Sequence, residues 1–421
     1  MFISRSSLWT DFGCGDEEKV KVYLERSRST PVNVSLRRDK GLFPFDPFFQ
    51  IIPLVIGRLK SLYIQGTREN LEAITAHLTH PVPLLEDLSI YGGPHRTPNR
   101  NPVLAPTLFN GDFSSLRELG LQSVHTKLPW RNMVNLTWFS LTDTSSVPMR
   151  QLLDFLESAP HLRKVDLTEA PISGTQNGRL VSLACLKRMA IMGGPSSVLL
   201  DHMLIPVGAK LTTQVKLPGV LIEDHLPRSL DNLKNLSGFT KIQLSSCGGY
   251  PHIKFSGPNG QVKMASDVYH DDETRMLFKS LSKFDTSKIK QLEIDSGDSP
   301  SSDHLYRALL PMEDLLILTL SLCVRPRVFI HALDPSMSSP GVLVCPKLEE
   351  IVIEHIGSFD IESILGVAAA RASRGAKLKL VRIVNRGDYM GVDVSELKKH
   401  VSRVECSREV DDGGFSSDEE D

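Results

Sequence analysis

The chain of 421 residues contains no stretch approaching 18 unbroken apolar residues, so nothing in it is a candidate transmembrane helix. It also has almost no charge excess: 48 Lys and Arg stand against 50 Asp and Glu, a formal net charge of −2. Such a balance lacks the electrostatic footprint of a nucleic-acid or membrane-surface binder. Its six cysteines (Cys14, Cys185, Cys247, Cys323, Cys345, Cys406) lie far apart with no C-x-x-C spacing. They read as reduced, small hydrophobes rather than a disulfide framework. The opening "MFIS" turns polar too soon for a secretory leader. A cytoplasmic or nuclear protein is therefore expected. G-x-S-x-G, G-x-x-x-x-G-K-[ST] and H-E-x-x-H are all missing. With no acid, base, nucleophile or metal set to be found, the expectation is a non-enzymatic protein without cofactor or metal.

What the sequence does have is a repeat. The pattern apolar-x-x-apolar-x-apolar recurs as "LKSLYI" from Leu59, "LEDLSI" from Leu85, "LRELGL" from Leu116, "LTWFSL" from Leu136, "LRKVDL" from Leu162 and "LKRMAI" from Leu186. It returns as "FTKIQL" from Phe239, "IKQLEI" from Ile289, "LLILTL" from Leu315, "LEEIVI" from Leu348 and "LKLVRI" from Leu378. A worn copy, "TTQVKL" from Thr212, divides the long gap in the middle. The last two apolar positions are two apart, which puts both on one face of a strand. Helical patterns fill the intervals at 68–78, 148–160, 271–284, 301–312 and 360–373, with Pro148 suited to a first turn and Pro160 to a stop. Strand and helix in alternation predict parallel strands with helices on one side. The period predicts an α/β leucine-rich-repeat solenoid: a curved parallel sheet, irregular repeats, helices on the convex side. A doubly wound sheet also alternates strand and helix, but gives no reason for one hexamer to recur.

Three segments interrupt the array. "IKF" and "VKM" flank "SGPNG" within 245–267, which predicts a β-hairpin insert. "YGGPHRTPNRNP" at 91–102 reads as a loop. Val394, Leu397, Val401 and Val404 have helical spacing and predict a C-terminal capping helix over 393–405. Residues 409–421 hold seven acids and no base, the composition of a disordered tail in which Ser416 and Ser417 are candidate phosphorylation sites. The domain reading is 1–45 as an N-terminal flank, 46–405 as the solenoid and 406–421 as the tail.

The residues alternating with the inward pair are expected on the concave face: Ser61, Tyr63 and Gln65; Asp87, Ser89 and Tyr91; Glu118 and Gln122; Trp138, Ser140 and Thr142; Lys164, Asp166 and Thr168; Arg188 and Met192. Tyr63, Asp87, Tyr91, Glu118, Trp138, Lys164, Asp166 and Arg188 are the candidate binding residues, because aromatics and Arg dominate binding hot spots. Mixed charge favours a protein or peptide over a polyanion. Further on, Ile317, Val352, Leu380 and Val384 take the same outward positions, so that end should be covered by the hairpin or the terminal helix. Smaller motifs read blandly. His77 and His80 sit at a helix end without acidic or thiolate company, and "GGPSS" at 193–197 resembles any strand-to-helix loop before a helix at "SSVLLDHML". The N-x-[ST] triplets at Asn33, Asn135 and Asn235 are coincidence without a secretory leader.

The first 90 or so residues carry one more signal. "LWTDF", an acidic linker, "KVKVYLERSRSTPVNVSL", then "DPFFQIIPLVIGRLKSLYIQG" resemble fungal F-box proteins with leucine-rich repeats, with Trp9, Tyr23, Leu24, Arg26 and Ser27 carrying the match. The resemblance implies the target-reading part of a cullin-based ubiquitin ligase receptor. In that family the F-box precedes the "LW" pair and docks a Skp-type adaptor. Only seven residues precede Leu8, so the adaptor is expected as a partner only where an F-box stands upstream. Read from its own residues, the segment is a helix with acids at its start and Arg26 and Arg28 near its end, stopped by Pro31, followed by an alternating strand "VNVSL". Trp9 is then either a plug over the first repeat or an exposed anchor. The alternative to a ligase receptor is a stand-alone repeat scaffold.

Overall fold

The computed structural model describes residues 9–13, 17–37, 52–93, 101–126, 133–144, 146–174, 178–194, 196–215, 225–246, 251–266, 273–295, 302–321, 326–335, 342–354, 361–385 and 393–408. The acidic tail with Ser416 and Ser417, and most of the 91–102 loop, lie outside them. Two compact units emerge, Met1–Lys216 with Asp224–Asn235, and Leu217–Glu223 with Leu236–Asp421. The solenoid expected over 46–405 runs through both.

In the first unit nine strands run parallel and neighbour one another in chain order: β1 (Asp11–Gly13), β2 (Val32–Leu36), β3 (Leu59–Gly66), β4 (Asp87–Gly92), β5 (Glu118–Gln122), β6 (Trp138–Thr142), β7 (Lys164–Thr168), β8 (Arg188–Met192) and β9 (Lys210–Val215). Helix α1 (Glu17–Ser27) joins β1 to β2, α2 (Arg68–His77) follows β3, and α3 (Met149–Ser158) follows β6. Strand order equal to chain order excludes the doubly wound sheet, in which the order reverses. This is the α/β leucine-rich-repeat solenoid arrangement.

The hexamer explains why. Its fourth and sixth residues point inward and are stripped of water: Leu62, Ile64, Leu88, Ile90 and Phe139 are each 0% exposed, and Leu121 and Leu141 1%. The first residue of the hexamer lies beneath them, and Leu59, Leu116, Leu136 and Leu162 are also 0% exposed. Each such side chain contributes about 1.5–3 kcal/mol of burial. Helix α3 covers this layer, with Phe155 packed 4.5 Å from Phe139 between ring centroids. Parallel strands leave the peptide groups at their leading ends to be paired across repeats. They are: Arg117 N–H donates to the Glu86 carbonyl, Thr137 to Arg117, Arg163 to Thr137, Lys187 to Arg163 and Lys210 to Lys187, all at 2.8 Å.

The worn repeat needs a correction of frame. The inward pair is Leu211 and Thr213, level with Met189 and Ile191, so the hexamer runs from Gly208 and not from Thr212. Thr213 stands where its neighbours have an aliphatic side chain, and its hydroxyl is buried without a hydrogen-bond partner.

A second device repeats at the far ends of the strands. Ser123, Asp143, Glu169 and Gly193 each follow the last strand residue and adopt positive φ, at 51°, 49°, 49° and 92°. Their N–H groups donate to the next repeat, Ser123 to Thr142, Asp143 to Thr168, Glu169 to Met192 and Gly193 to Gln214. Only the last is a residue that takes this conformation freely.

The second unit holds β10 (Lys241–Ser245), β11 (His252–Gly257), β12 (Gly260–Ser266), β13 (Gln291–Asp295), β14 (Ile317–Ser321), β15 (Glu350–Glu354), β16 (Leu380–Asn385) and β17 (Arg403–Arg408). From β10 through β13 to β17 the strands are parallel, while β11 and β12 form the expected hairpin, added antiparallel to β10. Helices α4 (Glu273–Leu281), α5 (Ser302–Leu309), α6 (Pro326–His331) and α7 (Ile361–Ser373) fall in the intervals read as helical, apart from α6, which the reading missed. Arg371 of α7 is fully buried, and its Nη1 and Nη2 donate to the carbonyls of Val344 and Cys345 at 2.9 and 2.8 Å. It fixes the turn into β15, where burial pushes the Cys345 thiol up to about 12.

The expected capping helix over 393–405 is instead one helical turn, α8 (Leu397–His400), and the strand β17. An edge strand completes the β16 ladder, which a helix could not do. The hairpin and β17 therefore both lie in the plane of the sheet. The outward apolar residues are largely withdrawn from water all the same: Val352 is buried, and Ile317, Leu380 and Val384 are half-buried.

Two substitutions test these readings by chemical denaturation. Thr213→Val removes an unsatisfied buried hydroxyl at constant shape and is expected to stabilise by about 1 kcal/mol. Gly193→Ala forces a Cβ to 2.9 Å from Glu169 Cγ at a φ of +92° and is expected to destabilise by about 2 kcal/mol, whereas Glu169→Gly costs nothing or stabilises.

Candidate protein-binding face

The side of the first unit's sheet away from the helices gathers all eight candidate residues. Because the strands are in register, the face reads in rows. Asp87, Glu118, Trp138, Lys164 and Arg188 stand level with one another at the leading ends of β4 to β8, and Lys210 of β9 continues the row. Two residues on, Tyr63, Ser89, Gly120, Ser140 and Asp166 form a second row. Tyr91 and Gln122 begin a third, with Thr142, Thr168 and Met192.

Two groups of side chains are fixed on it. In the first, the rings of Tyr63 and Tyr91 stack at 5.0 Å, and the Arg37 guanidinium lies 4.9 Å from the Tyr63 centroid. Burial raises the Tyr63 phenol above its ordinary value, the neighbouring Tyr91 adds to this, and Arg37 opposes it. Asp87 accepts from the hydroxyls of Ser61 at 3.0 Å and Ser89 at 3.4 Å. In the second, the Trp138 indole N–H donates to Asp166 Oδ2 at 3.2 Å, and Lys164 Nζ sits 3.6 Å from the same oxygen and 5.5 Å from the Trp138 ring. Asp166 thus pins the indole and holds a cation over it.

Between the two groups is Gly120. A Cβ there would meet Ser89 Oγ at 3.4 Å, Tyr91 Oη at 3.7 Å and Trp138 Cη2 at 3.8 Å. The absent side chain lets the tyrosine hydroxyl and the indole edge close over Gly120, which is itself buried, so that one methyl group would fill the gap. At the flanks, Glu118 and Arg188 are exposed and make no ion pair among the described residues. On the second unit's open face several charges pair with one another: Lys241 with Glu293 at 2.9 Å, and Arg382 and Arg403 with Glu405.

Three contributors escaped the sequence reading. Arg37 lies beyond the predicted strand, Gly120 was passed over for want of a side chain, and Lys210 was hidden by the misplaced frame of the worn repeat. Alternation of Leu211 and Thr213 after Gly208 was the signal for Lys210.

The other motifs are taken up internally. His77 Nδ1 lies 2.8 Å from the Ala73 carbonyl, and among the described residues no three His, Cys, Asp or Glu are grouped to hold a metal. Ser196 of "GGPSS" is buried and donates to the His225 carbonyl at 3.1 Å, with only a single helical turn, Ser197–Leu200, after it. Asn235 is buried and donates to the Ala209 carbonyl at 3.1 Å, so it is no acceptor for a glycan. Trp9 is half-buried against α1, edge-on to Tyr23 at 5.1 Å with the Arg26 guanidinium 4.4 Å above it. Arg58, unnoticed in the sequence, closes the C-terminus of α1: its guanidinium donates to Ser27 Oγ at 2.9 Å and to the carbonyls of Arg28, Thr30 and Leu24. Among the described residues no helix is long and apolar enough to cross a membrane.

No family model matches the chain, and no curated protein matches it. Among solved structures it is similar to the crystal structure of the Rad7 and Elc1 complex in yeast, at 13% identity and a TM-score of 0.29, covering 96% of this chain and 81% of that one. A likeness so loose carries no argument, and the fold stands on the strand order and burial above.

Gly120→Ala tests the gap. Its Cβ meets only ordinary van der Waals contacts, so denaturation should show stability unchanged within about 1 kcal/mol, unlike Gly193→Ala.

Proposed function

We propose that the chain is a non-enzymatic reader of other proteins, which holds a protein or peptide on the open face of its first unit through Tyr63, Asp87, Tyr91, Glu118, Trp138, Lys164, Asp166 and Arg188. The observation that carries this is a pinned indole and a stacked tyrosine pair held side by side on one open sheet face, with buried Gly120 between them. A sheet face that served only to be solvated would need neither aromatic group. Half-buried aromatic side chains already held in place bind at low entropic cost, the property of interface hot spots.

The setting we propose is that of the target-reading part of a ubiquitin ligase receptor. Its support is the resemblance of the Trp9–Leu36 stretch, which here forms a closed seam: Trp9 packed on α1, α1 capped by Arg58, and β2 paired with β3. A stand-alone scaffold is the second reading, favoured by the same face acting without any adaptor.

Mixing the purified chain with a Skp-type adaptor, together with the reading frame upstream of Met1, separates the two. Co-elution as a stoichiometric complex, or an in-frame F-box upstream, supports the ligase setting, and separate elution with no such F-box supports the scaffold. The face itself is tested by partner binding: Trp138→Ala and Tyr91→Ala are each expected to weaken it at least tenfold, about 1.4 kcal/mol, with the unfolding midpoint nearly unchanged. Unaltered affinity in both variants would sink the assignment.

A further inference from the structure

The open face has a direction built into its charges. Along the leading row, from β4 to β9, the residues are Asp87, Glu118, Trp138, Lys164, Arg188 and Lys210. Two acids lie on one side of the indole and three bases on the other. The residues just before each strand are outside this row: Glu86, paired with Lys60 at 3.7 Å, Arg117, Arg163 and Lys187 alternate with it along the chain and line the leading end of the repeats. Strands β7 to β9 bring Lys164, Arg188 and Lys210 within two strand spacings, about 10 Å.

The only acid on those three strands is Asp166, already engaged by Lys164 and by the Trp138 indole. Arg188 and Lys210 form no ion pair with any described residue, and Arg188 is plainly exposed. Three cations held in one row repel one another, and an approaching anion relieves the repulsion. The acids of β4 and β5 impose the opposite preference some 10–15 Å away, on the far side of the indole.

We propose that the face selects an extended protein segment with its charges sorted in complementary order. Acidic residues lie over β7–β9, one aromatic or large apolar side chain packs on the half-buried Trp138 indole, and a basic residue faces Asp87 and Glu118. The span from β4 to β9 is about five strand spacings, roughly 24 Å, the length of about seven extended residues. A uniform polyanion would meet Asp87 and Glu118 at one end and lose there what it gains at the other. This inference rests on the reading of the face as the binding site, and adds what it binds.

The test uses the full chain and fluorescence anisotropy at about 50 mM salt, where screening is weak. The probes are a blocked peptide with three acids, a Gly-flanked Phe and two Lys in that order, a peptide of the same composition with acids and lysines alternating, and single-stranded oligothymidine of similar length. The sorted peptide is expected to bind at least ten times more tightly than either other probe. Combined Arg188→Glu and Lys210→Glu should erase that preference, and the milder Arg188→Gln with Lys210→Gln should reduce it, with folding confirmed by thermal unfolding. Equal affinity for both peptides, lost in Trp138→Ala, would overturn charge sorting while leaving the face as the binding site. Tightest binding to the oligonucleotide would overturn the proposal in favour of nucleic acid. Binding of no probe at millimolar concentration would overturn the sorting as well, and the Trp138→Ala and Tyr91→Ala partner measurements then decide the face separately.

Discussion

Every feature of this protein depends on one constraint: a parallel strand cannot satisfy its own peptide groups or cover its own apolar pair. Each repeat therefore borrows its neighbour's backbone carbonyls, as in the run from Lys210 back through Lys187, Arg163, Thr137 and Arg117 to Glu86. The inward pair fixes the register, because a slip of one residue would turn the whole set toward water. Once the register is fixed, the residues between the inward pair have no freedom either. They line up across the sheet in rows, whatever their chemistry.

Those rows turn a one-dimensional repeat into a site. Trp138 and Asp166 are 28 residues apart in the chain, yet the register of β6 and β7 puts the indole N–H on the carboxylate. Tyr63 and Tyr91 are likewise brought together by β3 and β4, and Gly120 is left between the two groups by β5. The contrast with the second unit is instructive. There the outward positions hold the apolar residues Ile317, Val352, Leu380 and Val384 in place of an aromatic group pinned by a carboxylate, and Lys241 and Arg382 pair with Glu293 and Glu405.

Much of this was legible in the sequence, because burial imposes a pattern that survives substitution. The hexamer located eleven strands in frame, and the spacing of Leu152, Leu153, Phe155 and Leu156 marked α3. What was illegible had physical causes. In the worn repeat Thr213 replaces an aliphatic residue, so the frame had no second apolar landmark and slid by four. Residues 393–405 satisfy a helical period, but Val404 and Cys406 also alternate, and the open edge of β16 decided for a strand. The left-handed corners at Ser123, Asp143 and Glu169 carry no glycine to announce them. The charge sorting was visible only in part, since Lys210 entered the row with the corrected frame.

We propose that another protein sits on the first unit's open face. Site-specific photocrosslinking tests this most directly, with the crosslinker placed at Gln122 on that face or at Arg150 on the exposed side of α3. A partner is expected to crosslink from Gln122 and not from Arg150. Crosslinking from Arg150 with none from Gln122 would contradict it.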